Sequence, residues 1–199
     1  MSDAQRRADF LLEVEKLKGV LRKNTPVGLD RSENAAEHSW HTALAALLFA
    51  DGAPVPVDVP TVLKMLLIHD IVEVDAGDVI VFDDAAREAN EAAERAAAER
   101  LFGLLPAAQG REMRELWQTF EAGETPEARF AKAADRIMPV LQNLAQDGGS
   151  WVEHDITRQQ VLDKVACIET VCPELWRDLE ARIMAATFWD DDGRIVRAG

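Results

Sequence analysis

Cysteine is scarce in this chain: Cys167 and Cys172 are the two present among 199 residues. Two thiols five positions apart are too few for a disulfide framework and do not form a CxxC pair. They are expected as core or near-core thiols of a reducing compartment. Long apolar runs are also missing. None approaches the roughly 18 residues of a membrane span, and the opening segment MSDAQRRADF carries charge in place of an apolar signal-peptide stretch. A cytoplasmic location without membrane contact is expected. Positive charge is in deficit. Lys plus Arg total 22 against 36 Asp plus Glu, a formal charge of −14. Such a surface repels nucleic-acid polymers and anionic membranes. A phosphorylated small molecule can bind where a cation or a metal locally reverses that field. No internal repeat, low-complexity linker or domain boundary is visible, and 199 residues that are 48% hydrophobic suit one domain with a sizeable core.

What is present is helical patterning from end to end. Phe10, Leu11, Val14 and Leu17 give an amphipathic first helix over 3–20. Residues 21–33, with Pro26 and Gly28, read as a loop. Ser32 or Asn34 can cap a second helix reaching Phe49. After the broken connector APVPVDVP, a third helix starts near Pro60 and carries MLLIHDIVEVDAGD. The stretch 75–83 is a loop whose VIVF run has strand character but no β partner. Further helices are expected over 84–103, a solvated Ala/Glu/Arg stretch, and over 106–121. Another runs from Thr125-Pro126 toward Ala145 with a kink near Pro139, and the last two cover 157–171 and 173–187.

The polar residues set into these apolar stretches are the chemically informative ones. His69 and Asp70 interrupt the run Met65, Leu66, Ile68, and both are costly to bury unpaired. Alone, the pair reads better as a core ion pair than as a ligand pair. Two further helices change the balance. His38 lies one turn into the second helix, in ENAAEHSWHTALAALL, and Asp135 sits in the core-facing stripe of RFAKAADRIMPVL. Two imidazoles and two carboxylates form a mixed N/O set. That set favours an octahedral Mn²⁺, Co²⁺, Fe²⁺ or Ni²⁺ over tetrahedral structural Zn²⁺, with Mg²⁺ also admitted. Four protein ligands leave two positions open, as catalysis requires. Glu73, four residues after His69, faces the same side if the helix continues. Trp40 is read as core, His41 as lying behind the ligands or on the surface, and His154 as structural.

The order His…His-Asp…Asp on a helical chain resembles the HD domain superfamily of metal-dependent phosphohydrolases. RSENAAEHSW, LLIHDIVEVDAGDV, FAKAADRI and ELWQTFEAGETPEARFAKAADRIMPVLQN resemble its 5'-deoxynucleotidase branch, over about residues 10–185. The resemblance implies a single all-α HD domain over 1–199, acting as a homodimer, and removal of the 5'-phosphate from (deoxy)nucleoside monophosphates. It puts His38, His69, Asp70 and Asp135 in the places of the metal ligands. Glu73 takes the place of the acid that orients water, and Asp78 that of an acid serving the leaving group or the water. Arg22 and Arg31 fall where substrate-binding cations come, Arg31 in the family's R-x-E…EH pattern; Asp75 is a loop or cap acid. The chain departs from the family at RKNTPVG, which has no aromatic beside Arg22, so a preference for deoxyribose is not carried over. Trp176, Phe188 and Trp189 are either dimer-forming or core. The alternatives are an HD phosphohydrolase of another nucleotide (a triphosphate, a pyrophosphate or a modified one) and a degenerate HD ligand-binding protein. Retained Glu73 and Asp78 argue against the last, since a scaffold has no need of acids beside a metal.

Overall fold

Most of the long helices begin where the sequence supplies a capping side chain. A computed structural model describes residues 1–196, the side chain of residue 84 excepted. In it Ser2 caps α1 (Asp3–Val14), which tightens into a 3-10 turn over Glu15–Gly19. Of the two candidates for the second cap, Asn34 is the one used. Its side chain accepts from the Glu37 amide while Glu37 accepts from the Asn34 amide, a reciprocal capping box that starts α2 (Ala35–Phe49). Asp58 caps α3 (Val59–Ile68), with Pro60 in the first turn, where no amide is needed.

The third helix does not run through the His-Asp pair. α3 stops at Ile68, His69–Val72 form a 3-10 turn, and α4 (Glu73–Ala76) follows as a single turn. Gly77 ends α4 at φ +77°, a conformation that a side chain would strain, and so turns the chain into Asp78. Residues 77–83 form no strand; among the described residues the bridges Leu21–Asn34 and Trp189–Ile195 stand alone. α5 (Asp84–Phe102) and α6 (Ala107–Ala122) form a hairpin, and Gly123, left-handed at φ +64°, closes α6. α7 (Pro126–Ala145) is capped by Thr125 and stays helical through Pro139. The chain then finishes in α8 (Gly149–Glu153), α9 (Arg158–Val165), α10 (Cys167–Val171) and α11 (Pro173–Ala185).

α2 packs chiefly on α7 and α3. Small buried residues on both sides, Ala43 and Ala46 facing the side of Ala131 and Ala134, let the helix axes approach. Two apolar clusters result. The larger joins α2, α3 and α7 to the C-terminal helices through Phe130, Ile137, Ile168, Leu179 and Ile183. The smaller joins Leu17, Ile71, Val72, Leu101, Phe102 and Trp117. Met65 and Leu66 belong to the first and Ile68 and Ile71 to the second, so His69 and Asp70 lie on the seam between them. Truncating Phe130, fully enclosed in the larger cluster, should cost about 3–5 kcal/mol.

Several residues fall elsewhere than expected. Trp40 is not core: 61% of it is exposed, with its ring stacked on His41 at 5.2 Å between centroids. Trp176, Phe188 and Trp189 take the second of their two expected places, the core: both tryptophans are buried and Phe188 packs against the same cluster. Cys172 is buried while Cys167 is on the surface. α5 is not solvated throughout, since Ala97, Ala98, Leu101 and Phe102 bury its last turns. Among the described residues, no helix is long and apolar enough to cross a membrane.

Candidate metal centre and its cavity

The capping box that starts α2 fixes the phase in which His38 faces inward, and the seam position of the 3-10 turn does the same for His69. α7 brings Asp135 between them. Ligand-capable atoms of His38, His69 and Asp135 all lie within 4.8 Å of one another, and all three residues are buried. Asp135 Oδ1 is 2.7 Å from His38 Nε2 and 3.4 Å from His69 Nε2. Asp70 stands at the side of this trio. One of its oxygens is 3.1 Å from His69 Nε2, and the other is 4.0 Å from His38 Nε2 and accepts a 3.0 Å hydrogen bond from Arg22.

The donor set fits a divalent cation. His69 Nδ1 is 2.8 Å from the Leu66 carbonyl, an acceptor, so the ring's Nδ1–H donates there. A neutral His69 ring must therefore present an Nε2 lone pair to the oxygens of Asp70 and Asp135. Nε2 is buried and makes no hydrogen bond. Lone pairs facing lone pairs in a buried site need a cation between them. Burial opposes charge on His69, yet Asp70, Asp135 and the Leu66 carbonyl hold its pKa above the usual value. Burial likewise opposes charge on Asp135, but Arg136 and the two histidines hold its carboxyl well below the usual carboxylate range. Phe120 of α6 packs on the His69 ring, centroids 5.1 Å apart, and fixes its plane.

Acids and one arginine surround this trio. The Arg22 guanidinium lies 3.9 Å from Glu73 and 3.5 Å from Asp78 as well as against Asp70. Burial works against its charge, but the acids more than offset that and raise its pKa. Glu73 is pushed well above the usual range, first by burial and then by Asp70, with Asp78 and Asp135 adding to it. One Glu73 oxygen is buried without a hydrogen bond. Asp78 is raised by burial, in part offset by Arg22.

Glu73 thus reaches the site although the α-helix expected to carry it is broken, because the 3-10 turn and α4 together still bring it round to Arg22. His69, Asp70, Glu73, Asp78, Asp135 and Arg22 line one cavity of about 770 Å³, with His38 behind them. Lys23, Lys132 and Arg136 also border it, as do Ile80 and Phe82 of the loop after Asp78. Arg31 is not brought there. Its half-exposed guanidinium pairs with Glu37 at 2.5 and 2.8 Å, on the far side of the capping box. Asp75 pairs with Arg100 at 2.6 Å, a structural contact. His154 is exposed beyond α8. Glu33 was not among the residues singled out in the sequence. It is buried to 1% exposure, with Oε2 3.3 Å from His38 Nδ1. Its sequence signal was its place in the R-x-E…EH pattern, five residues before His38.

Known proteins resemble this chain in sequence and in fold. A family model described as HD domain matches residues 14–176. The 5'-deoxynucleotidase HDDC2 of Xenopus laevis is 31% identical over 139 residues, covering 67% of this chain and 68% of that protein. The Homo sapiens protein of the same name is 27% identical over 140 residues, 68% of this chain and 67% of that one. The crystal structure of a predicted metal-dependent phosphohydrolase from Magnetospirillum magnetotacticum MS-1 superposes with a TM-score of 0.87 at 44% identity, covering 94% of this chain and 96% of that chain. With two thirds of its length matched at this level, and His38, His69 and Asp135 converging in one buried cluster, the chain belongs to the HD domain family.

Proposed function

We propose that this protein is a metal-dependent phosphohydrolase that removes the 5'-phosphate from nucleoside or deoxynucleoside monophosphates. The observation that carries the reading is the convergence of His38, His69 and Asp135 within 4.8 Å at the inner end of a cavity large enough for a nucleotide. Together with Asp70 they would hold a divalent ion, with Mn²⁺, Co²⁺, Fe²⁺ and Ni²⁺ the best matches to a mixed N/O set. Such an ion supplies Lewis acidity, drawing charge from phosphate oxygens and making water a stronger acid.

The remaining work belongs to the chain. Arg22, anchored among Asp70, Glu73 and Asp78, offers a guanidinium to phosphate oxygens at the mouth of the cluster. Glu73 orients the attacking water and accepts its proton at the oxygen that makes no hydrogen bond. Asp78, with a raised pKa, is suited to hold a proton for the departing 5'-oxygen. Ile80, Phe82 and Trp151 give the cavity an apolar flank for the nucleoside.

A second reading keeps the chemistry and changes the substrate. Lys23, Lys132 and Arg136 border the cavity beyond the ligand cluster, and such cations would suit a nucleotide with more than one phosphate. Metal-stripped protein given Mn²⁺, Co²⁺ or Mg²⁺ and offered nucleoside mono-, di- and triphosphates decides between the two. Phosphate release from monophosphates, dependent on added ion, is the expected result. Release only from triphosphates selects the second reading, and no metal-dependent release from any nucleotide removes both.

A homodimer belongs to the same proposal. Trp40, Leu44, Leu47 and Leu48 form an exposed apolar stripe on the outer face of α2, which supports pairing through that helix. Light scattering at micromolar concentration, with a monomer as the opposing result, tests it.

A further inference from the structure

Glu33 has no role in the reaction as set out above, yet it is among the most enclosed ionisable residues of the described chain. Its place is set by backbone pairing. Arg22 N–H donates to the Glu33 carbonyl at 2.8 Å, Glu33 N–H donates to the Asn24 carbonyl at 2.8 Å, and Leu21 and Asn34 form an antiparallel bridge. This short ladder holds Glu33 beside Arg22 and delivers its carboxylate beneath α2. There Oε1 accepts from Gln142 Nε2 of α7 at 2.7 Å. Oε2 is 3.3 Å from His38 Nδ1 and 3.7 Å from Arg22 Nε. These three atoms, Glu33 Oε2, His38 Nδ1 and Arg22 Nε, are each buried without a hydrogen bond. They are one acceptor and two potential donors facing one another, a complementary set that a contraction of a few tenths of an ångström would close.

For His38 Nε2 to serve a cation at the cluster, the ring's proton must sit on Nδ1, and that nitrogen needs an acceptor. His69 meets the same need with the Leu66 carbonyl three residues away. His38 does not do so locally: the corresponding carbonyl three residues back, that of Ala35, already accepts from Ser39 Oγ at 2.9 Å, and the ring points across the bundle to α7. We propose that Glu33 is a positioning residue for the metal centre: its carboxylate fixes the Nδ1–H tautomer of His38 and, through Arg22 Nε, ties the phosphate-binding guanidinium to the same anchor. The inference rests on the metal-centre reading of the site. It makes one buried carboxylate the common support of a ligand and a substrate-binding cation that lie on different segments.

Mn²⁺ affinity of metal-stripped protein, measured by chelator competition, tests it on wild type, Glu33→Gln and Glu33→Ala. Glu33→Ala should bind Mn²⁺ roughly 10–100-fold more weakly, the usual worth of a hydrogen-bond partner behind a metal ligand. Glu33→Gln should fall between, because its carbonyl can still accept from Nδ1–H while Gln142 turns its amide to match. In the Zn²⁺-loaded proteins, ¹⁵N-edited NMR should show a protected His38 Nδ1–H in wild type and Glu33→Gln that is lost to exchange in Glu33→Ala. A packing role alone would lower the melting temperature without moving either readout. Wild-type affinity or an unchanged Nδ1–H signal in a folded Glu33→Ala overturns the proposal, as does wild-type affinity in Glu33→Gln if the alanine variant does not fold. Absence of Mn²⁺ and Zn²⁺ binding by wild type is a different failure: it removes the metal reading and this inference with it.

Discussion

The two faces of α2 repeat with the same spacing and lead opposite lives. The inner face sets His38, Thr42 and Ala46 at 0% exposure, and its hydroxyls are bonded within the helix: Ser39 Oγ to the Ala35 carbonyl at 2.9 Å, Thr42 Oγ1 to that of His38 at 3.1 Å. The outer face sets Trp40, Leu44, Leu47 and Leu48 toward solvent, Leu48 at 71% exposure. Both stripes repeat at three- and four-residue spacing, so a helix that is apolar nearly all round offers periodicity no means of choosing its core side. The choice is made by the small residues that let α7 approach and by the ladder that holds the segment before α2. The inner face is committed to one geometry, while the outer face is committed to nothing within the monomer.

The sharpest way to break this contrast is to damage the inner surface where it meets the cluster. His69→Ala or Asp70→Asn should lose bound metal and turnover together, with turnover down by on the order of 10³-fold or more. Metal analysis and initial rates on one preparation check this; retained turnover in metal-replete buffer would remove these residues from the ligand set. Glu73→Ala should separate what those changes join. Turnover should fall roughly 10²–10⁴-fold with metal content near wild type. Loss of metal in that variant would instead make Glu73 a ligand.

Titration sharpens the contrast further, because Glu73, Asp78 and Asp135 are all shifted and all face the cluster. Glu73 and Asp78 are raised by burial and neighbouring acids, so the folded metal-free protein holds protons there that the unfolded chain releases. Their contribution to stability is present below the ordinary carboxylate pKa and is lost as pH rises through the raised values. Asp135 is shifted the other way, so its contribution is present above the ordinary value and is lost as pH falls through the lowered one. Metal-free protein should therefore melt progressively lower as pH rises above about 4–5. Saturating Mn²⁺ should flatten that slope, and so should Glu73→Gln without metal. A slope identical in all three would exclude Glu73 as its source.

The smallest effect belongs to the outer face. Trp40→Ser with Leu48→Ser should leave the stability of the protomer within about 0.5 kcal/mol, as for exposed positions away from special features. Light scattering should show the pair shifting any dimer toward monomer. An unchanged dimer would place the interface elsewhere.

Much of this was legible in the sequence because the candidate ligands interrupt apolar stretches and the helix caps are local. Asn34 with Glu37, Asp58 with Pro60, and Thr125 with Pro126 each announce a helix start within four residues. The break after Ile68 was not legible, since Met65 to Val74 reads as one continuous helix and the 3-10 turn is imposed by packing against two clusters at once. Trp40 misled for the reason given above. Glu33 and Arg31 lie two residues apart in one motif, and their opposite fates depend on the Leu21–Asn34 bridge, a pairing between segments that no single-segment pattern encodes.

Arg100, near the end of α5, pairs with Glu13 of α1 at 2.9 Å and with Asp75 of α4 at 2.6 Å. Seen from the ribosome, this strap orders events in time. α1 and the turn after His69-Asp70 emerge first, but neither can be fastened until α5 has been synthesised, and the cluster stays open until α7 delivers Asp135. The contacts that close the centre, His38 to Asp135 and Arg22 to Asp70, thus span large sequence separations, the feature that slows folding. A nascent chain halted before residue 135 would expose two histidines and several acids with no geometry to discriminate among metals. In the finished bundle, the ion that enters meets a site whose shape no longer depends on it alone.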